Sequence, residues 1–309
     1  MQNIPDKVIV FSDGQIGILE FALGFIMFSV SLAVSTDDFK QIWKTPKKLL
    51  VGLSSQWILL PLLTLLTAFI ISPSWYLGLG MLLVASCPGG NISNFFSYLS
   101  KGNVELSISL TLLVTLLSPF TMPLIFNGLQ SLYLPDDIQS SSVKAEFLPV
   151  FWTVLKIMVV PLVLGVLVRH WIPRFTGKII KPAKYLSMLI LLGFIVGSFV
   201  PYKDLFLQVI GDIFGLVFIM NLIALLAGFG YAKLFYPTRD AKTISIETGI
   251  QNSGLGLVLV LKFFDGNGEM AVIAAWWGIW HIISGFVISF IYARIGRSKE
   301  ANLKKEAIQ

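Results

Sequence analysis

The sequence predicts an all-α polytopic membrane protein with nine transmembrane helices. Composition is the first reason. Of 309 residues, 55% are hydrophobic and 13% charged, with a mean hydropathy of +0.80, whereas a soluble domain carries about 25% charged residues. The second is length: the apolar residues fall in continuous blocks of about twenty, enough to cross hydrocarbon as a helix. Continuous blocks exclude the alternation of a β-barrel. The third is that Lys and Arg gather in alternate connections, as in a chain oriented by its cytoplasmic loops.

In order, residues 1–14 are short and mixed. They lack the basic start of a signal peptide, so the first apolar block, 15–35, is expected to be retained. Spans follow at about 49–71, 75–100, 104–126, 147–168, 185–200, 205–232, 243–264 and 270–294. The third is interrupted at Cys87-Pro-Gly-Gly-Asn-Ile-Ser-Asn94 and the eighth at Gly249–Gly254. Proline and clustered glycines in an apolar run are break signals. Connections at 37–48, 127–146 and 169–184 are read as loops, the last strongly basic, and a basic tail follows Arg294.

With the N-terminus outside and the C-terminus cytoplasmic, the inner side holds nearly all Lys and Arg. Only Lys7, Lys144, Lys156, Lys203 and Lys262 fall elsewhere. The net charge of +6 is therefore read as a topology signal, and no nucleic-acid partner is expected. One cysteine, Cys87, rules out an internal disulfide, and two histidines are too few for a zinc site of His and Cys alone.

The chain reads as one transmembrane domain, 1–309, of two halves. Residues 1–146 carry the break near 87–94, and residues 147–309 carry the break near 247–254. The two interrupted spans run in opposite directions, the pattern of an inverted repeat with a site where two broken helices cross. Half-helix N-termini near Ser93 and Asn252 would present free N–H groups and partial positive charge to an anion. Asn91, Asn252 and Ser253 add side-chain donors.

The cation chemistry centres on Glu247. A carboxylate at mid-membrane depth costs about 2.5–3.5 kcal/mol even on insertion scales, so it marks a functional site. Gln251 lies four residues on, and Ser107 and Thr111 are also four apart, so each pair shares a helix face. Gln56, Ser93 and Asn94 supply further neutral oxygens. One carboxylate among neutral oxygens suits a monovalent cation better than calcium. His281 is a candidate substrate contact or a packed interior histidine. Lys156 is expected to snorkel or pair inside the bundle; Glu20 and Asp212 are expected to be solvated. No phosphate loop or Ser-His-Asp arrangement is evident, so neither ATP-driven transport nor an enzyme is expected.

At these residues the chain resembles the bile acid:sodium symporter family. The stretches are Cys87–Asn94, Gly102-Asn-Val-Glu-Leu-Ser107 continuing to Thr111, Thr115-Leu-Leu-Ser-Pro119, Glu247-Thr-Gly-Ile-Gln-Asn-Ser-Gly254 and Trp280-His-Ile-Ile-Ser-Gly285. The resemblance implies a core domain of crossed helices, a panel domain and two sodium ions as coupling ions, with no other cofactor. By motif position, one sodium would be held by Ser93, Asn94, Ser107, Thr111 and Glu247. The other would be held by Gln56, Glu247, Thr248, Ile250 and Gln251, with Thr248 and Ile250 acting through their carbonyls. The substrate side would comprise Gly90, Asn91, Asn252, Ser253 and His281. Asn91 and the pair His281-Ile282 depart from the family's usual residues there.

The expected activity is sodium-coupled import of an organic anion by alternating access. The anion is a small carboxylate such as pantoate or a keto acid, or a bile-acid-like steroid. The expected partners are that anion, sodium and the lipid bilayer, with no obligate protein partner. The expected location is the plasma membrane, the inner membrane in a bacterium. An arsenite-type efflux permease using Cys87 and a non-transporting substrate-sensing receptor are the alternatives.

Overall fold

The computed structural model describes residues 12–72, 74–135, 146–199 and 203–306. Those residues are helical apart from short connections, with no β-strand among them. The helices, in chain order, are α1 (Asp13–Ser31), α2 (Thr36–Lys44), α3 (Pro46–Ile71), α4 (Trp75–Ser86), α5 (Ser93–Leu99) and α6 (Val104–Tyr133). Then come α7 (Phe147–Trp171), α8 (Pro173–Phe199), α9 (Lys203–Lys233), α10 (Thr238–Gly249), α11 (Ser253–Phe263) and α12 (Gly268–Glu306). Among the described residues, six stretches are long and apolar enough to cross a membrane: α1, α3, α6, α7, residues Ile213–Lys233 of α9 and Gly268–Ile295 of α12. Trp75–Ser86 and Ser253–Phe263 are shorter apolar helices.

Local chemistry explains the ends. Ser12 and Gln15 form a reciprocal cap on α1: the Ser12 amide donates to Gln15 Oε1 at 2.8 Å, and the Gln15 amide to Ser12 Oγ at 3.4 Å. Pro46 and Pro173 stand at the starts of α3 and α8, where a missing N–H costs nothing.

Inside α3 and α7 proline acts differently. Pro61 and Pro161 each follow a single π turn, Ser55–Leu59 and Leu155–Val159. The Leu60 amide donates five residues back to Ser55, and the Val160 amide to Leu155. The wider turn accommodates a ring that would otherwise press on the carbonyl four residues earlier.

Several sequence expectations change. The basic stretch 169–184 is not a loop, because α8 starts at Pro173 and runs through it to Phe199. With four Lys and Arg in its first half, α8 has too short an apolar part to count as a span on its own. The stretch 37–48 contains the short amphipathic helix α2 and the start of α3. Helix α6 reaches Tyr133 rather than ending near Phe126. The tail after Arg294 continues α12 to Glu306. Most of the polar stretch 127–146 beyond α6, at 136–145, lies outside the described residues.

The packing sets α4 against α3, α6 and α12, and α9 against α10 and α12. A second group forms where α1 packs on α7 and α8 and touches α11. At Gly80 a Cβ would sit 2.9 Å from the Met270 Cα, so only glycine lets α4 approach α12 that closely. Leu82, Leu83, Val84, Val258, Val260 and Trp277, all 1% exposed or less, fill the interior that carries the two broken helices.

Candidate functional site

Two interruptions meet at the centre of the bundle. Helix α4 stops at Ser86. Cys87, preceding Pro88, is extended (φ −67°, ψ 153°), as the proline ring requires of its neighbour. Helix α10 runs through Gly249, so only Ile250, Gln251 and Asn252 separate it from α11, a tighter break than the stretch 249–254 predicts. The two loops pair antiparallel at Gly89 and Gln251. The Gly90 amide donates to the Ile250 carbonyl at 2.8 Å, and the Asn252 amide to the Pro88 carbonyl at 2.9 Å. Backbone groups freed by breaking two helices thereby satisfy each other.

Glu247, fully buried, sits in the last turn of α10. Ser93 Oγ on α5 donates to its Oε1 at 2.6 Å, and Ser107 Oγ on α6 donates to the same oxygen. Thr111 Oγ1 reaches Oε2 at 3.2 Å and Asn94 Oδ1 at 3.4 Å. All five residues expected at the first sodium position are therefore in one cluster, drawn from three helices. Among the described residues no Lys, Arg or His forms an ion pair with Glu247. A buried carboxylate held only by hydroxyls retains its charge cost unless a cation offsets it.

A second group lies on the other side of Gly89. A Cβ on Gly89 would stand 3.2 Å from Gln56 Oε1, 3.4 Å from Glu247 Oε2 and 3.7 Å from the Glu247 carbonyl. Three oxygens thus converge on a glycine that leaves them room. Gln56, 3% exposed in the π turn of α3, has no hydrogen-bond partner on either amide atom, and Gln251 Oε1 has none either. Gln251 Nε2 donates to the Thr248 carbonyl at 2.9 Å. The Thr248 hydroxyl is engaged elsewhere, with Ile244 O and Ser55 Oγ, both at 2.7 Å. Unpartnered buried amide oxygens beside a carboxylate fit a hard cation, whose ligands are oxygens.

The anion-side candidates are arranged less tightly. Asn252 caps α11, its Oδ1 accepting the Leu255 amide at 3.0 Å. Asn91 Nδ2 points at Met27 Sδ at 3.2 Å. Ser253 packs against α12, its Oγ 2.9 Å from where a Cβ on Gly278 would stand. His281, one turn beyond Gly278, is buried with Nδ1 unpartnered. Gly90 belongs to the crossing itself.

Other expectations fare differently. Glu20 is not merely solvated: it pairs with Lys262 at 2.6 Å, joining α1 to α11. Lys156 is exposed on the π turn of α7. The Asp212 side chain lies outside the described residues. Cys87 is buried in the main apolar cluster beside Gly256. It is the single cysteine in the chain.

Sequence reasoning missed Asn221, whose Nδ2 donates to the Gly249 carbonyl at 2.7 Å, and Ser55, which bonds Thr248. It also missed Asn103 and Asp240, which tie the α5–α6 turn to α10 through an amide–carboxylate bond of 2.7 Å. The only signal for Asn221 and Asp240 is a polar side chain at 4% exposure or less, and that is not legible before folding.

An all-helical bundle with membrane-length apolar helices has the build of a multi-pass membrane protein, and a buried cage of oxygens lies at its helix crossing. Residues 20–209 match the sodium bile acid symporter family, and the chain belongs to that family of sodium-dependent transporters. It is 30% identical over 285 residues to a Bacillus subtilis (strain 168) protein named an uncharacterized sodium-dependent transporter, YocS, covering 91% of this chain and 85% of the relative. It is 29% identical to the rice (Oryza sativa subsp. japonica) probable sodium/metabolite cotransporter BASS2, chloroplastic, covering 82% of this chain and 58% of the relative. It is 28% identical to the mouse (Mus musculus) sodium-dependent organic anion transporter, covering 92% of this chain and 75% of the relative. Sodium is accordingly the coupling ion of its class.

Proposed function

We propose that the chain imports an organic anion together with two sodium ions by alternating access. The observation that carries the reading is Glu247 on α10, fully buried, without a cationic partner among the described residues and ringed by hydroxyl oxygens from α5 and α6. One sodium is held by Ser93, Asn94, Ser107, Thr111 and Glu247. The second is held by Gln56, Glu247, Gln251 and the carbonyls of Thr248 and Ile250. Glu247 serves both, so two cations offset one buried charge. Their binding tightens the crossing and orients residues 90–94 and 250–254. The anion then meets Gly90, Asn91, Asn252, Ser253 and His281 at the half-helix N-termini.

In this reading nine spans form two inverted halves, 1–146 and 147–309, with the N-terminus outside and the C-terminus in the cytoplasm of a plasma-membrane protein. A core with the crossed helices rocks against a panel containing α1 and α7. An inside-negative potential of 100 mV favours inward movement by about 2.3 kcal/mol per net charge, so two sodium ions with a monoanion make uptake electrogenic. A small carboxylate such as pantoate or a keto acid, or a bile-acid-like steroid, fits an anion site of N–H donors beside apolar helices.

The test is uptake into proteoliposomes under an imposed sodium gradient, with pantoate, 2-oxoisovalerate and taurocholate as probes. Accumulation of one of these only when sodium is outside is the expected result. Accumulation that ignores the gradient overturns symport.

A further inference from the structure

Each amide of the crossing meets a methionine on the facing helices. Asn91 Nδ2 donates to Met27 Sδ on α1 at 3.2 Å, and Asn252 Nδ2 donates to Met158 Sδ in the π turn of α7 at 3.5 Å. Met27 is 2% exposed and Met158 1%. The orientation of Asn252 is not free, because its Oδ1 is committed to capping the Leu255 amide. Its NH2 group must therefore face the sulfur. Asn91 Oδ1 is buried without a partner.

The two contacts are parts of one surface. Leu23, four residues before Met27 and so on the same face of α1, stands 2.7 Å from where a Cβ on Gly254 would be. Leu23, Met27 and Met158 belong to one apolar cluster. The face of α1 and the π turn of α7 thus close over both loops of the crossing. The groups they present to the amides are hydrocarbon and thioether sulfur. Sulfur is a weak acceptor, so two side-chain amide donors of the anion site are held by weak partners. A carboxylate oxygen, being charged, accepts far more strongly.

We infer that Met27 and Met158 are specificity-determining residues for the transported anion: they hold the Asn91 and Asn252 amides until a carboxylate takes them, and they then form the wall against which the acid's hydrocarbon part packs. The inference rests on the anion reading of the crossing and deepens it. The unbranched thioether chain adapts its shape to the body it meets. It offers hydroxyl groups at that wall only a weak acceptor. The ligand class is therefore a monocarboxylate with an apolar body, rather than a sugar acid or a dicarboxylate.

Binding of pyruvate, 2-oxoisovalerate, gluconate and cholate in sodium would be measured for the wild type, Met27→Leu, Met158→Leu and the double alanine variant. Leucine keeps the volume and removes the sulfur. Both leucine variants are expected to retain the sodium-dependent rise in melting temperature and to bind 2-oxoisovalerate about three- to tenfold tighter, the range of one neutral hydrogen bond. The alanine pair is expected to shift the cholate-to-pyruvate affinity ratio by about tenfold or more through added space. Unchanged ratios and affinities in all variants, beside intact wild-type binding, overturn the inference alone, as does gluconate binding as tightly as 2-oxoisovalerate. Loss of the sodium response in the leucine variants also overturns it, by showing that the methionines serve only the fold. A wild type that sodium stabilises but that binds none of the four acids overturns the anion reading and this inference with it.

Discussion

Ser93 Oγ donates to Glu247 Oε1 at 2.6 Å across 154 positions of sequence. The contact joins the first residue of α5 to the last turn of α10, so the oxygen cluster around Glu247 exists only when both broken helices are in place. Ser107 and Thr111 complete the ring from α6.

Replacing Glu247 with Gln keeps the shape and removes the charge. Hydrogen bonds and contacts to a charged group are worth about 1.5–3 kcal/mol, so apparent sodium affinity should fall by at least tenfold. Thermal melts with and without sodium check this: the sodium-dependent increase in melting temperature should vanish. An increase equal to that of the wild type would refute the site assignment.

Gln56 and Gln251 carry the unpartnered amide oxygens of the second cluster. Gln56→Ala or Gln251→Ala should weaken one sodium and spare the other. In uptake assays the sodium dependence should flatten from a Hill coefficient near two toward one, while stabilisation by high sodium persists.

Asn221 holds the Gly249 carbonyl at the end of α10. Its truncation to Ala leaves a buried acceptor unsatisfied, at a cost of about 1–3 kcal/mol. The expected outcome is a lower melting temperature in sodium-free buffer, together with weaker sodium binding, since the freed loop 250–252 carries Gln251. A variant with unchanged melting temperature would show that the bond contributes nothing.

Glu20 and Lys262 pair at 2.6 Å while one sits on α1 and the other on α11. If those helices separate during transport, a disulfide between Glu20→Cys and Lys262→Cys in a Cys87→Ser background should arrest uptake, and reductant should restore it. Uptake that continues in the oxidised protein would mean that α1 and α11 move together. The Cys87→Ser parent should itself still transport, with a lowered melting temperature, because the change removes the thiol and buries a hydroxyl in an apolar cluster. Loss of uptake in that parent would revive a role for the thiol.

Much of the site was legible without a structure because its signals are local. A lone carboxylate at Glu247, Pro88 followed by Gly89 and Gly90, and the four-residue spacing of Ser107 and Thr111 each speak through cost, backbone geometry or helix periodicity. The partners of Glu20, Asn91 and Asn252 were not legible, because nothing near them in the chain names Lys262, Met27 or Met158. The helical run through 169–184 was misread for the opposite reason: a dense row of positive charges resembles a loop, yet helix propensity for Lys and Arg is good and Pro173 opens the helix.

By itself the sequence determined the membrane environment, the helical class and the two points where helices must break, because hydrophobic length and the limits of proline act on neighbours. Tertiary structure alone decided that the breaks pair through Gly90–Ile250 and Pro88–Asn252, that Gln56 swings from a π turn toward Glu247, and that methionines face the amides. Those outcomes depend on which helices pack together. Burial then makes every unpaired oxygen and donor costly, and so selects the few arrangements in which Glu247 is surrounded rather than exposed to hydrocarbon.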